Sequence, residues 1–317
     1  MYTMGYDIQV GDFRLGMLDK VEIHRSVELL ADTAVITLPA SEYNKALEVE
    51  SMIKRGDRVS VKIGYTETGL REEFSGYLQR IGTDNGSITL ECEDDLFKFR
   101  VPVPDEVLKN VSLDALLKKV VDGVGGGYEI DCDYTWSYEK FVIHTATGYD
   151  VLKKLQEECG ADIYLQGNVL HIHPPATKMG EEVYYDFSLN VESCDLTYRR
   201  SEDRKVRVVV KALLPDGKVK EYEVGATGGD RVEIRSASSD DASMKQRGET
   251  EVKRLSFDGY DGTITTWMIP YCEPGYVAEL RDPDYDYKDG RYYVRAVTTE
   301  FSRDGGKRTI ELGIRLS

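Results

Sequence analysis

Strict alternation of apolar and polar positions marks the start of the chain as sheet. Val59-Ser60-Val61-Lys62-Ile63 puts an apolar side chain on every second residue, the period at which a strand sends them to one face. "KVEIHRSV" (20–27) and "TAVITLP" (33–39) are rich in β-branched residues and separated by a short polar turn, which predicts two further strands. Phe74–Ile81 and Ile88–Cys92 flank "TDNGS", whose Asn-Gly pair signals a tight hairpin. Between these strands the period changes. "SEYNKALEVESMI" (41–53), with Ser41 as N-cap and Tyr43, Leu47 and Val49 in one stripe, predicts a short helix.

From "VPVPDEV" (101–107) the texture is mixed. Ser112 can cap "LDALLKKVVDG", where Leu113, Leu116, Leu117 and Val120 fall at helical spacing. A strand at Tyr128–Cys132 follows. A second helix is predicted over Gly148–Cys159, with Thr147 and Asp150 as a capping box and Gly160 as the stop. "DIYLQ" and "NVLHIHP" read as two strands about Gly167-Asn168. Strand texture returns near residue 191: "DLTYRR", "KVRVVVKALL" (205–214) and, across a "PDGK" turn, "VKEYEVG" (219–225). Residues 238–257 read as a helix capped by Ser238 or Ser239, weakened by Gly248, which costs about 1 kcal/mol relative to Ala.

The two ends of the chain share an order of elements. Each has a strand pair, a helix, a glycine-led turn into a strand, and a closing hairpin. Gly56 aligns with Gly275, Tyr77-Leu78-x-x-Ile81 with Tyr293-Val294-x-x-Val297, and Ile88-x-Leu90 with Ile310-x-Leu312, which makes the second hairpin loop six residues longer. Chance similarity of short strands is the plain alternative; the shared order favours two copies of one fold. The expected architecture is α+β, mainly β: two related antiparallel β-barrel domains (1–100 and 191–317) with a small α/β domain (101–190) inserted between them.

Charge narrows the functional classes. The chain carries −16, from 57 acidic against 41 basic residues, a surface that repels phosphate and argues against sequence-specific nucleic-acid binding. No window reaches the apolar length of a membrane span, and "MYTMGYDIQVGDF" lacks the basic and apolar regions of a secretion signal. Cys92, Cys132, Cys159, Cys194 and Cys272 have no metal-ligand spacing and read as buried thiols of a reducing compartment. The 21 tyrosines suit strands and subunit interfaces alike.

Each motif that invites chemistry has a plainer explanation. "GVGGG" (123–127) follows a helix, not a strand, and no Lys-Ser/Thr pair completes a phosphate loop. His171 and His173 share a strand face, but no third ligand is placed by spacing. The carboxylates of "CEDD" (92–95) and "SDD" (239–241) fit turns and helix caps. No nucleophile, base or metal set emerges, so the expectation is no enzyme, no catalytic, cofactor-binding or metal residues, and no cofactor.

"DTAVITLP", "GDRVSVKIGY", "FSGYLQRI" and "ITLECEDDLFKF" together resemble the opening barrel of the late control protein D family, the hub proteins of contractile phage-tail baseplates. The hub portion of type VI secretion spike proteins is related. "TGYDVLKKLQEECGADIYLQGNVLHI" is similar to that family's inserted domain, and "PGYVAEL…GRYYVRAVTTEF…KRTIELGI" to its closing barrel. The resemblance spans nearly the whole chain and consists of strands and glycines.

The resemblance implies a homotrimeric structural hub of a phage tail or phage-like injection machine. Each subunit would contribute two tube-like barrels, so that three subunits match a six-fold tail tube to a three-fold spike. The implied partners are the chain itself, the tail tube protein, a separate spike protein, and baseplate and tape-measure proteins, with no membrane insertion. The implied location is the virion tail baseplate, assembled in the bacterial host cytoplasm. The competing readings are a β-rich glycan hydrolase and a carbohydrate-binding module; Trp136 and Trp267, the aromatic platforms these would use, lie far apart in sequence. Under the hub reading the acidic charge would line a channel, with Thr89, Glu91 and Glu311 on the polar strand faces.

Overall fold

The structure is a computed structural model that describes residues 2–39, 52–84, 87–134, 136–214, 217–236, 238–286 and 289–317. The helix expected over 41–53 lies outside the described residues up to position 51, as does the Asn85-Gly86 turn. Among the described residues, thirteen strands form one continuous sheet.

One half of that sheet comes from β1 (Met4–Val10), β2 (Phe13–Arg14), β3 (Lys20–Ser26), β4 (Thr33–Leu38), β5 (Arg58–Tyr65), β6 (Arg71–Asp84) and β7 (Ser87–Glu93). Their spatial order is β3-β4-β7-β6-β5-β1, with β2 beyond β1, and every pairing is antiparallel. The alternation in β5 lands as its pattern requires: Val59, Val61 and Ile63 are buried while Arg58 and Lys62 are exposed. The half curls, so that Ile8 and Val10 of β1 share a core with Val21 and Ile23 of β3.

The middle of the chain folds as β8 (Glu106–Ser112), α1 (Leu113–Gly123), β9 (Glu129–Cys132), β10 (Ser137–Ile143), α2 (Gly148–Cys159), β11 (Asp162–Gln166) and β12 (Val169–His173). The caps form as read: Ser112 Oγ accepts from the Ala115 N–H, Thr147 and Asp150 make a capping box, and Gly160 ends α2 at φ +63°. β8 and β10 pair with each other and carry no alternating signal. Asn110 at φ +48° breaks the pleat of β8, so its buried Leu108 and Val111 fall three apart. Leu116, Leu117, Leu152, Trp136 and Phe141 fill the core of this unit.

β13 (Glu182–Asp186) belongs to the large sheet, although it lies inside the 101–190 stretch read as the inserted domain. Val183 and Tyr185 alternate inward into the second half's core. β14 (Ser193–Arg199) follows. Then comes a unit inside the 191–317 stretch expected as the second barrel: β15 (Val206–Leu213), β16 (Val219–Gly225), β17 (Asp230–Ser236) and α3 (Asp241–Leu255). These strands form a separate three-stranded sheet, ordered β16-β15-β17. Val208, Val210 and Ala212 pack on Met244 of α3 in a core of their own, separate from those of the large sheet. Gly248 has a packing reason, since a Cβ there would sit 3.0 Å from Val224 and 3.2 Å from Val210. The cap of α3 is Asp240, which accepts from the Ser243 N–H, rather than Ser238 or Ser239.

β18 (Gly259–Trp267), β19 (Val277–Arg281), β20 (Gly290–Ser302) and β21 (Gly305–Arg315) complete the second half. Its spatial order is β14-β18-β21-β20-β19-β13. Position for position this is the order of the first half, strand for strand along the sequence. One pairing differs: β13 runs parallel to β19, whereas β1 is antiparallel to β5.

The repeat extends to single backbone bonds. Gly56 N–H donates to the Leu78 carbonyl and Leu78 N–H to Asp57; Gly275 N–H donates to Val294 and Val294 N–H to Tyr276. Both glycines have positive φ, +94° and +84°. A register shift lies between Leu78 and Arg80 in one hairpin and between Val294 and Ala296 in the other. That shared irregularity corrects the hairpin alignment: Leu90-x-Cys92, not Ile88-x-Leu90, stands where Ile310-x-Leu312 does, because Ile81 pairs with Leu90 and Val297 with Ile310. The second hairpin is therefore longer by two residue pairs, running out to Ser302–Gly305 where the first stops at Asp84–Ser87.

No closed barrel forms among the described residues. Closure of the first half would pair β3 with β1, but the second edge of β3 is occupied by β20, from Ala296–Ser26 to Ser302–Lys20. This seam joins the halves into one sheet. Phe301 and Met268 enter the first half's core. Arg308 of β21 and Glu73 of β6, both buried, meet at 2.7 Å, and the same guanidinium donates to the Met268 and Pro270 carbonyls at 2.8 Å each.

Removing one partner of such a pair leaves a buried charge, so Arg308→Met should cost about 3–5 kcal/mol in urea unfolding, and the double change with Glu73→Met should recover most of the loss. Gly56→Ala and Gly275→Ala meet nothing closer than 3.9 and 3.8 Å, so both should lose only the backbone term, about 1–2 kcal/mol and similar at the two sites, in the same assay.

Candidate functional site

The motifs singled out in the sequence are engaged structurally. In "CEDD", Glu93 receives two hydrogen bonds from Arg100 at 2.6 Å, Asp94 accepts from the Leu96 N–H at the start of a 3-10 turn, and Asp95 pairs with Arg58 at 2.6 Å. In "SDD", Asp240 caps α3 and Asp241 pairs with Lys220 at 3.1 Å. His171 stacks on Tyr164 and meets Asp131 at 2.9 Å, while His173 bonds the Tyr164 hydroxyl and the Pro174 carbonyl. Among the described residues no group of His, Cys, Asp and Glu could hold a metal ion. Gly125, Gly126 and Gly127 all have positive φ and carry the chain out of α1.

The expectation that every cysteine is buried holds for Cys92, Cys159 and Cys272 and fails for Cys194, which is exposed on β14, and for half-buried Cys132. β14 is the last strand of its half, so one of its faces and its outer edge meet solvent. Trp136 is buried in the middle core, whereas Trp267 is half-exposed with the Lys307 ammonium over its ring.

The structure also brings together carboxylates that sequence spacing does not. Asp32 and Asp94 clasp across the end of the first half: Asp32 N–H donates to Asp94 Oδ2, and Asp94 N–H to the Asp32 carbonyl, both at 3.0 Å. Burial pushes both carboxyls up from their ordinary range. Their oxygens are already taken by Ser26 N–H, Arg25 and Leu96 N–H, so the pair clamps backbone and holds no free acid and base. Beside it, Arg25 reaches Tyr271 and Glu273 at 3.1 Å, and the Arg71 guanidinium lies 3.6 Å from the centre of the Tyr271 ring.

A cavity of about 480 Å³ opens where all the units meet. It is bounded by the Val27–Glu28 turn, the Pro174–Thr177 loop, the C-terminal turn of α3 and the ends of β20 and β21. Asp162 lines it, buried, and accepts from the Tyr293 hydroxyl at 3.3 Å. Burial pushes this carboxyl up to about 8, with the Glu28 charge adding to the effect, so the group is largely protonated at neutral pH.

No family model matches the sequence, and no curated protein matches it. Solved structures do match in fold. The 43 kDa tail protein of prophage MuSo2 from Shewanella oneidensis aligns with TM-score 0.69 at 16% identity, covering 98% of both chains. A tail protein from Neisseria meningitidis MC58 aligns with TM-score 0.67 at 15% identity, covering 98% of this chain and 97% of that one. The fold is that of phage tail proteins. The E. coli c3393 protein, a component of the type VI secretion system, shares it with TM-score 0.62 at 9% identity, over 98% of this chain and 77% of its own.

In this tail-protein fold Asp162 sits at the junction of units, and its proton is linked to folding. Its folded pKa lies above the unfolded value of about 3.9, so the unfolded chain releases the proton first. The stabilising contribution of the protonated form is present at low pH and is lost as pH rises from about 4 to about 8. Asp162→Asn should match the parent near pH 4 and exceed it by about 4–6 kcal/mol above pH 8 in chemical denaturation across that range.

Proposed function

We propose that the chain is the structural hub of a phage-type tail baseplate. The observation that carries this reading is the equal strand order of the two sheet halves, β3-β4-β7-β6-β5-β1 and β14-β18-β21-β20-β19-β13. A subunit with two like halves lets a three-fold assembly present six like elements, which is the geometry needed between a six-fold tube and a three-fold spike. Each half acts as a tube-like β domain, and the middle unit and the β15–β17/α3 unit brace the seam between them.

The likeness to tail proteins supports a structural role over an enzymatic one. The engagement of the motif carboxylates by caps and arginines points the same way. The partners under this reading are two further copies of the chain, a tail tube protein on one side, a separate spike on the other, and a tape-measure protein along the axis, at the tail baseplate of a virion. The edges β14 and β13 are not paired with each other, and an unpaired edge is a template for another strand. The net charge of −16 suits an axis through which DNA or a polypeptide passes without sticking.

Light scattering over a concentration series, alone and with tube protein, should give the mass of three chains or of an assembly built on three. A strict monomer in every condition overturns the hub reading. Purified protein should release no fragments from peptidoglycan; release abolished by one carboxylate substitution would favour the hydrolase.

A further inference from the structure

The cavity at the junction of units is rich in cations although the chain as a whole is acidic. Its lining carries five cationic side chains, Arg199, Arg204, Lys253, Arg254 and Arg295, against three carboxyls, Glu28, Asp162 and Asp261, in a chain of net charge −16. Three of the cations are already paired: Arg199 with Asp261, Arg254 with Glu251 at 2.6 Å, and Arg295 with Glu311 and, at 3.7 Å, Glu28. The buried Nε of Arg295 faces Glu28 at 3.7 Å, too far for a hydrogen bond. Arg204 and Lys253 are exposed and make no ion pair among the described residues. The rest of the wall is mixed: Val27, Pro174, Leu255, Phe257 and Leu312 are apolar, and Thr177, Thr250 and Tyr293 add hydroxyls.

We propose that this cavity binds a single carboxylate carried on an apolar body, with Arg204 and Lys253 holding the carboxylate and Leu255 and Phe257 flanking the body. The volume of about 480 Å³ falls within the usual range for ligand sites. Surplus donors beside apolar walls select an acceptor-only head on a hydrophobic tail. A polyanion is disfavoured because its outlying charges meet the acidic surface, whereas one carboxylate seated among cations is screened from charges more than about 8–10 Å away. Asp162, largely uncharged at neutral pH, does not oppose it. Two sources present this chemistry, the C-terminal residue of a polypeptide and a small alkyl carboxylate.

The test uses the isolated full-length chain and so does not depend on the hub reading. Anilinonaphthalene sulfonate, an anionic head on an apolar body, serves as fluorescent reporter in a titration at physiological salt. The expected result is one saturable site per chain, weakened about tenfold or more by Arg204→Glu and by Lys253→Glu, a shift of about 1.4 kcal/mol each. Hexanoate should displace the reporter and hexanol should not. A short peptide ending in a free leucine carboxylate that outcompetes both hexanoate and its own amide identifies a chain end; hexanoate outcompeting the peptide identifies a small carboxylate. Circular dichroism and melting of each variant check folding, with Arg204→Gln and Lys253→Gln as substitutes where a charge reversal unfolds the chain. No saturable binding, affinity indifferent to both cations, or equal displacement by hexanol overturns the proposal.

Discussion

The architecture depends on β3 having two edges and using both. One edge pairs with β4 inside the first half, and the other pairs with β20, whose seven seam positions run from Ala296 to Ser302. A backbone edge can satisfy one neighbour only, so the contact that fuses the halves is also the contact that keeps the first half from closing on itself. The side chains reinforce this choice. Arg308 comes from the second half and Glu73 from the first, and neither has access to water, so each requires the other in place. The Arg25, Arg71, Tyr271 and Glu273 cluster extends the same junction towards the surface.

Duplication explains what is constant between the halves, and the seam explains what differs. Gly56 and Gly275 hold matching turns, and the register shifts after Leu78 and Val294 sit at matching places, because a bulge and a positive-φ turn set where a hairpin bends. The differences lie at the margins of the shared plan. The second hairpin is two pairs longer, and those pairs fall where β20 reaches across to β3. The inserted β15–β17/α3 unit leaves the large sheet between β14 and β18, the place of the short turn between β3 and β4. It returns α3 to the junction, where Gly160 lets Arg247 come close: a Cβ on that glycine would lie 2.1 Å from the guanidinium.

Charge is distributed by this packing rather than spread evenly. On the outer face of the small sheet, Lys211 pairs with Glu221 and Glu233, Arg207 with Glu223, and Arg231 with Glu233. Exposed pairs of this kind contribute little to stability, about 0–1 kcal/mol each, and chiefly keep a sheet face soluble and unsuited to stacking. Five cations, two of them without an ion pair among the described residues, line the junction cavity, so this cation-rich hollow on an acidic chain is a consequence of how the units dock.

Local chemistry was legible in the sequence wherever the signal is short in range. Ser112, Thr147, Asp150 and Gly160 act at helix ends through bonds within a few residues, so their roles follow from spacing alone. The β5 alternation, the paired glycines and the mainly-β class were legible for the same reason. β8 was not, because Asn110 breaks its alternation; β15 and β16 read as strands of the second barrel rather than of a separate sheet, and β17 had no reading, since a strand's pattern says which face is apolar and not what covers it. The hairpin alignment slipped by two residues, an even slip that preserves the inward face and so leaves the hydrophobic pattern unchanged. The sequence by itself determined the three described helices, the caps of α1 and α2, the alternating strands and the duplicated order, all of which rest on neighbours along the chain. Only the tertiary structure decided that β3 pairs with β20, that Arg308 finds Glu73, that Asp32 meets Asp94 and that five cations line the junction cavity. These depend on groups far apart in sequence whose partners are chosen by shape, edge availability and burial, and no local pattern encodes that choice.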